Sequence, residues 1–312
     1  MKKLFSVVLP IYNNEKNLEV TIPYIVNKSR SFKGYDVEII MVNDGSKDRS
    51  YEIMQKLQKE YPDIITIANL ERNFGQGACT ECGMSLAKGD AIGVISADLQ
   101  DPFELFEDML KYHEEGYKFV YGIRENREDK KVYAFIAQFV HKFMHTFIVK
   151  DWPVGGCDFY LADKSVVNNF VSLYKIRSAS SLATFLYLTA SRKELYYTRK
   201  NRELGKSGYS LKRKFQCFKE WVYYNSDFPI KVLGCVSGIW IVLLFLAWII
   251  VALLGLDVGN LKMLFFAVTS ALVLFGLWSI GQYVWILVEM GKKLPRYIIS
   301  EVIYRSQEFT KK

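Results

Sequence analysis

Val37-Glu38-Ile39-Ile40-Met41-Val42, followed at once by Asn43-Asp44-Gly45-Ser46-Lys47-Asp48, decides how the first half of this chain is read. A nearly continuous apolar run that ends in a polar turn suits a strand covered on both faces, which is the habit of parallel sheets. Similar runs stand at Phe5 to Pro10, Ile64 to Ala68, Ala91 to Ser96 and Lys118 to Tyr121. Between them lie helical patterns at Glu15 to Lys28, Ser50 to Tyr61 and Gly77 to Lys88. Alternation of this kind predicts an α/β domain with a mostly parallel sheet. Ligands of such sheets sit beyond the carboxyl ends of the strands. Polar residues collect at three of those ends: Pro10-Ile11-Tyr12-Asn13-Asn14-Glu15, Asn43 to Asp48, and Ser96-Ala97-Asp98-Leu99-Gln100-Asp101-Pro102.

The far end of the chain has a different solvent in view. From Val232 to Leu256, and again from Met263 to Val288, no charged residue occurs. Each run exceeds the roughly 20 residues a helix needs to cross a bilayer. The connection Asp257-Val258-Gly259-Asn260-Leu261-Lys262 predicts a tight hairpin. Lys231 lies before the pair, and Lys292, Lys293 and Arg296 lie after it, so the positive-inside rule puts both chain ends in the cytoplasm. Two spans without an ionisable residue exclude an ion pathway.

The formal net charge is +8, and Arg192 to Lys214 holds nine basic residues against Glu194 and Glu203. Placed just before an apolar stretch, that excess favours anionic lipid or phosphorylated ligands over nucleic acid. The five cysteines are irregularly spaced, and Cys79-x-x-Cys82 lacks the second pair of a zinc site, so we read them as small packing residues. His141 and His145 lie four apart, but without an accompanying Glu they read as structural or interfacial.

Asp98 and Gln100, two apart in an extended segment, project to the same side and offer hard oxygen ligands. Mg²⁺ or Mn²⁺ held there would bridge a pyrophosphate. Asp44-Gly45-Ser46 suits either a ligand-binding turn or a turn alone. We expect Asp101 to cap a helix that starts at Pro102. Candidate phosphate-binding cations are Arg124 and Arg127 after the fifth strand, with Arg202 and Lys206 in Asn201-Arg202-Glu203-Leu204-Gly205-Lys206-Ser207-Gly208.

Val7-Val8-Leu9-Pro10-Ile11-Tyr12-Asn13, Val42-Asn43-Asp44-Gly45-Ser46, Asn73-Phe74-Gly75 and Ala97-Asp98-Leu99-Gln100-Asp101-Pro102 together resemble family-2 glycosyltransferases. The likeness is to the dolichyl-phosphate mannose synthase and bacterial polyprenyl-phosphate branch, and it spans nearly the whole chain. It implies a GT-A type domain and an inverting transfer. By that resemblance Pro10, Tyr12 and Asp44 contact the nucleoside, Asp98 and Gln100 serve the metal, and Ala97 belongs with them to the nucleotide-sugar site. The stretch from Arg202 through Ser207 resembles the family's phosphate-covering loop. Gly156-Cys157-Asp158-Phe159 resembles its Asp-Phe-Arg segment, which makes Asp158 an active-site acid, with Tyr160 where arginine is common. The family's Asp-x-Asp reads Ser96-Ala97-Asp98 here, and its Tyr-Asn-Glu reads Tyr12-Asn13-Asn14. The first departure lowers the negative charge of the metal site.

A polyprenyl phosphate is already anionic near neutral pH and needs no general base, unlike a sugar hydroxyl. The enzyme must instead align two anions and shield their repulsion, a task for metal and arginine. We therefore expect Asp98, Asp158 and Arg124 to carry catalysis, and Arg124, Arg127, Arg202, Lys206 and Ser207 to hold phosphate. The expected organisation is a GT-A domain over 1–210, an amphipathic juxtamembrane segment over 211–231, a transmembrane hairpin over 232–290 and a cytoplasmic tail over 291–312. A second amphipathic candidate is the helical pattern of Val132, Phe135, Ile136, Phe139, Val140, Phe143 and Phe147, laid against the bilayer. The resemblance ranks UDP-glucose or UDP-N-acetylglucosamine ahead of GDP-mannose as donor and implies a bacterial-type cell membrane. A polysaccharide or glycolipid acceptor, or a donor-binding protein that has lost catalysis at Ser96, stays open at this point, as does homo-oligomerisation.

Overall fold

The computed structural model describes residues 2–98, 100–124, 139–153, 157, 159–173, 181–198, 211–254, 259–292 and 294–306. Strands β1 (Lys3–Ile11), β2 (Tyr35–Asn43), β3 (Ile65–Leu70) and β4 (Ala91–Val94) alternate with helices α1 (Glu15–Ser29), α2 (Ser50–Glu60) and α3 (Gln76–Leu86). Then follow α4 (Leu105–Glu114), β5 (Phe119–Arg124), a π-helical turn (Met144–Ile148), β6 (Tyr160–Asp163), α5 (Lys164–Leu173), α6 (Ser181–Leu188) and β7 (Arg192–Tyr197). Three helices, α7 (Leu211–Asn225), α8 (Phe228–Leu254) and α9 (Gly259–Gly291), precede a last strand, β8 (Ile299–Ile303).

One sheet runs in the order β7-β5-β6-β4-β1-β2-β3-β8. β1 pairs parallel with β2 and β4, β2 with β3, and β5 with β7, while β6 and β8 enter antiparallel. The two-residue period of a strand explains the unbroken apolar runs: Val7, Leu9, Ile39 and Met41 join one core layer, and Val8, Ile40 and Val42 join the other. The first layer is closed by Phe5, Phe32, Phe103 and Phe106, stacked or edge-to-face. In the second, α3 lies so close to β1 that a Cβ at Gly83 would sit 2.3 Å from Val8 Cγ1. Cys79 and Cys82 are buried in that layer, and burial raises both thiols, Cys82 to about 12, so neither is reactive at neutral pH.

The segment after α9, read from sequence only as a tail over 291–312, returns to the domain, and β8 pairs with β3 at the sheet edge. Tyr51 of α2 donates to Glu301, and Arg305 reaches the buried Glu38 of β2 at 3.1 Å. Tyr297-Ile298-Ile299-Ser300-Glu301-Val302-Ile303-Tyr304 is rich in β-branched and aromatic residues, a strand signal that the reading of 291–312 as a tail passed over. The hairpin also differs: Gly259 to Lys262, expected in the loop, already belong to α9.

Helices α8 and α9 contain stretches of 27 residues, Phe228–Leu254 and Phe265–Gly291, that are long and apolar enough to cross a membrane. Each is about 40 Å long at 1.5 Å per residue. Phe245, Trp248, Phe266 and Leu274 are exposed on them, and α8 buries no side chain. Such a surface suits hydrocarbon rather than water.

Candidate functional site

The loops after β1, β2 and β4 are tied to one another by hydrogen bonds. Asn13 N–H donates to Ser46 Oγ (3.0 Å), Asn14 N–H to Ser50 Oγ (2.8 Å), and Lys47 N–H to Asn13 Oδ1 (2.9 Å). Asn13 adopts a left-handed φ of 46°, which asparagine tolerates. The Asn14 side-chain amide and Thr21 Oγ1 both donate to the Ala97 carbonyl, at 2.8 and 3.2 Å, which ties the β4 loop to α1. Asn14, the departure from the family pattern, thus has a structural task. Pro10 is half-buried at the end of β1, and Tyr12 stands 44% exposed just beyond it.

Asp44 lies just past β2 and is buried. Its carboxylate accepts from Phe74 N–H (2.6 Å) and Gly75 N–H (2.9 Å), so it fastens the β3–α3 loop. Burial pushes this carboxyl above its ordinary value, against the opposing pull of those two amides. Gly45 (φ 60°) makes the fit possible, since a Cβ there would lie 2.5 Å from the Arg72 carbonyl carbon. Arg72, exposed beside this loop, lies over the Phe74 ring at 5.0 Å.

Beyond β4, Ser96 Oγ lies 2.6 Å from Asp98 Oδ1 and 3.2 Å from Asp101 Oδ2. Its one proton is therefore shared between two carboxylates. The expected cap at Asp101 is not made, because α4 begins only at Leu105. Asp101 turns inward instead, where Tyr197 Oη–H donates to its Oδ1 at 2.5 Å. Arg124, the last residue of β5, is the register partner of Tyr197. Its Nε donates to the Tyr197 hydroxyl (3.4 Å) and lies 4.0 Å from Asp101. Burial first, and then the neighbouring Asp101, raises the Tyr197 phenol strongly, so it remains a donor. Arg124 and Asp101 side chains are almost wholly enclosed. Arg124 thus belongs to a buried Asp–Tyr–Arg group behind the Asp98 segment. The roles of Asp101 and Tyr197 escaped sequence reading, since they lie on distant segments: the pairing of β5 with β7 sets Tyr197 beside Arg124, and the Tyr197 hydroxyl then reaches Asp101.

Among the described residues no cluster of three or more His, Cys, Asp or Glu side chains is arranged to hold a metal. Asp98 with Gln100, both half-buried, fits a different design, in which one carboxylate and substrate phosphates share a Mg²⁺ or Mn²⁺ that keeps its waters. Arg127, Asp158, Arg202, Lys206 and Ser207, and the helix positions Val132, Phe135 and Ile136, lie outside the described residues.

His141 and His145 serve Trp152. Trp152 Nε1–H donates to His141 Nδ1 (3.0 Å), and the His145 ring lies 3.1 Å from the Trp152 carbonyl. Trp152 in turn packs on Trp221 of α7, with ring centroids 5.4 Å apart. Nearby, Phe143 and Phe147 each stand 5.2 Å from Phe228, the first residue of α8. Phe139, Phe147 and Phe215 are exposed.

Comparison with known proteins accords with this architecture. The model of "Glycosyl transferase family 2" matches residues 6–162, from within β1 to within β6. The uncharacterized glycosyltransferase sll0501 of Synechocystis sp. is 30% identical over 305 residues, covering 95% of each chain. An undecaprenyl-phosphate 4-deoxy-4-formamido-L-arabinose transferase of Enterobacter sp. is 26% identical, covering 98% of this chain and 96% of its own. Mannosyl-3-phosphoglycerate synthase from Rubrobacter xylanophilus shares the fold, with a TM-score of 0.51, 16% identity and coverage of 70% and 71%. This chain therefore belongs to glycosyl transferase family 2 and carries a GT-A-like α/β domain followed by two helices able to span a membrane.

Proposed function

We propose that this protein transfers a sugar from a nucleotide-sugar to a polyprenyl phosphate at a membrane surface. One observation carries the reading: the family-2 domain meets the first apolar helix through an aromatic junction, Phe143 and Phe147 against Phe228, with Phe139 and Phe215 exposed beside it. Aromatic side chains at such a junction suit a lipid interface. Relatives named as undecaprenyl-phosphate sugar transferases match along the apolar helices as well as the domain, which supports the same acceptor class. In this reading α8 and α9 cross the membrane, and the domain and both ends lie in the cytoplasm.

The donor enters the cleft formed by the three tied loops. Pro10, Tyr12, Asp44 and Ala97 border the nucleoside, with Asp44 acting by shaping the Phe74–Gly75 loop. A divalent cation held by Asp98 and Gln100 would neutralise charge on the departing nucleoside diphosphate. Arg124, held in orientation by Asp101 and Tyr197, adds fixed positive potential behind the Asp98 segment. The acceptor phosphate attacks the anomeric carbon without a base, and the configuration there inverts. Arg127, Arg202, Lys206 and Ser207 steady phosphate groups, and Asp158 orients the sugar or acceptor. UDP-glucose or UDP-N-acetylglucosamine leads GDP-mannose as donor.

The test is a panel of radiolabelled nucleotide-sugars with undecaprenyl phosphate and purified protein, with and without Mn²⁺. Label moving into the lipid phase only when the lipid phosphate is present supports the proposal. Transfer without any isoprenoid phosphate points to a glycan or glycolipid acceptor, and donor binding without turnover rejects catalysis.

A further inference from the structure

The chain leaves α9 at Gly291 and reaches Arg296 only five residues later. At no more than about 3.6 Å per residue, that leash spans roughly 18 Å at most. Arg296 then enters the domain and meets Glu81 of α3, Nη1 to Oε2, at 2.7 Å. Both side chains are nearly enclosed, 6% and 10% exposed. Burial raises the Glu81 carboxyl, and the Arg296 guanidinium opposes that rise. The neighbouring Tyr297 hydroxyl lies 3.3 Å from Ser85 Oγ on the same helix.

Helix α3 is no bystander. It starts at Gln76, directly after the Phe74–Gly75 amides that Asp44 holds. The exit of the second apolar helix is therefore clamped to the element that begins at the floor of the donor cleft. The entry of the first apolar helix is clamped elsewhere, through Phe228 on Phe143 and Phe147 and through Trp221 on Trp152. A body tethered at one point swivels, whereas two separated attachments and a paired edge strand leave it little freedom. A buried ion pair adds less stability than apolar packing would, but it can specify a single geometry, here a role to be tested.

We propose that Arg296, through Glu81, is a positioning residue that holds the donor cleft at a fixed height and angle to the lipid-borne acceptor. This rests on the polyprenyl-phosphate reading above. Alignment of two reactants is worth a large rate factor, and a displacement of about 1 Å can cost on the order of a hundredfold.

Arg296→Ala alone would strand Glu81 in the interior and could unfold the domain, so the test uses Glu81→Leu combined with Arg296→Met, which keeps the volume and removes the pair. Full-length protein in vesicles is assayed with undecaprenyl phosphate, and in parallel with a short water-soluble prenyl phosphate that diffuses freely. Turnover of the bilayer-held acceptor should fall on the order of tenfold to a hundredfold. The soluble acceptor's kcat/KM and the donor Kd should stay within about twofold. Equal losses with both acceptors, or no loss with either, overturn the proposal. Spin labels at Tyr187 on α6 and Leu254 on α8, both exposed, read the clamp without reference to any acceptor. Their distance distribution should broaden in the double variant, and an unchanged distribution refutes the clamp. A wild-type protein that uses neither prenyl phosphate instead refutes the acceptor assignment.

Discussion

Tyr197→Phe removes one oxygen from the buried Asp101–Tyr197–Arg124 group and nothing else of consequence. The ring would keep its edge-on packing against Phe159, with centroids 5.8 Å apart. What is lost is the 2.5 Å hydrogen bond to Asp101 and the acceptor for Arg124 Nε. The Asp101 side chain is 0% exposed and that of Arg124 4%, so bulk water does not reach in to replace the hydroxyl. A hydrogen bond to a charged group is worth about 1.5–3 kcal/mol, and we expect a loss near the middle, about 2 kcal/mol. For a domain of this size that lowers Tm by roughly 4–8 °C. Thermal unfolding in detergent, followed by near-ultraviolet circular dichroism, measures it. Because Arg124 also loses its orienting partner, sugar transfer should fall by more than the loss of folded protein explains. Unchanged Tm together with unchanged turnover would refute the claim that Tyr197 holds this group together.

Other outcomes follow from the same geometry. Ser96→Asp replaces a shared hydroxyl with a second carboxylate beside Asp98, so Mn²⁺ affinity, read by electron paramagnetic resonance, should rise by about tenfold (about 1.4 kcal/mol). The metal-free variant should melt lower than wild type, since three acids then crowd one segment. Asp163 gives a pH signature: burial pushes its carboxyl up, but hydrogen bonds from Ser165 and His113 outweigh burial and hold it below 3.8. A depressed acid contributes stability above its unfolded value and loses it as pH falls through the folded value. Stability curves of Asp163→Asn and wild type should therefore converge as pH drops below about 4 and separate above it. Phe139→Glu with Phe147→Glu should cut vesicle-borne turnover while leaving donor affinity unchanged, and spin labels at either position should report bilayer contact. An aqueous signal at both positions would remove the membrane-facing surface from the model of action.

Much of this molecule is legible in one dimension because its signals are local. Apolar runs such as Val37 to Val42 require cover on both faces, and that alone implies the layered sheet. The uncharged lengths of α8 and α9 speak for a lipid solvent by composition, with no need of coordinates. Polar strand ends on a parallel sheet announce a ligand edge for the same reason. Tertiary structure decided whatever depends on pairing between distant segments. Asp101 looked like a helix cap from its neighbours alone, and only the parallel register of β5 with β7, which places Arg124 beside Tyr197, turns it into a buried partner. Tyr297 to Tyr304 carry strand-forming side chains, but only the tertiary structure shows that β3 leaves an edge with which β8 pairs. Arg296 counted as a flanking charge until Glu81 was seen 2.7 Å away. Local chemistry specifies what each segment can be, while long-range closure of the chain selects which buried charges meet.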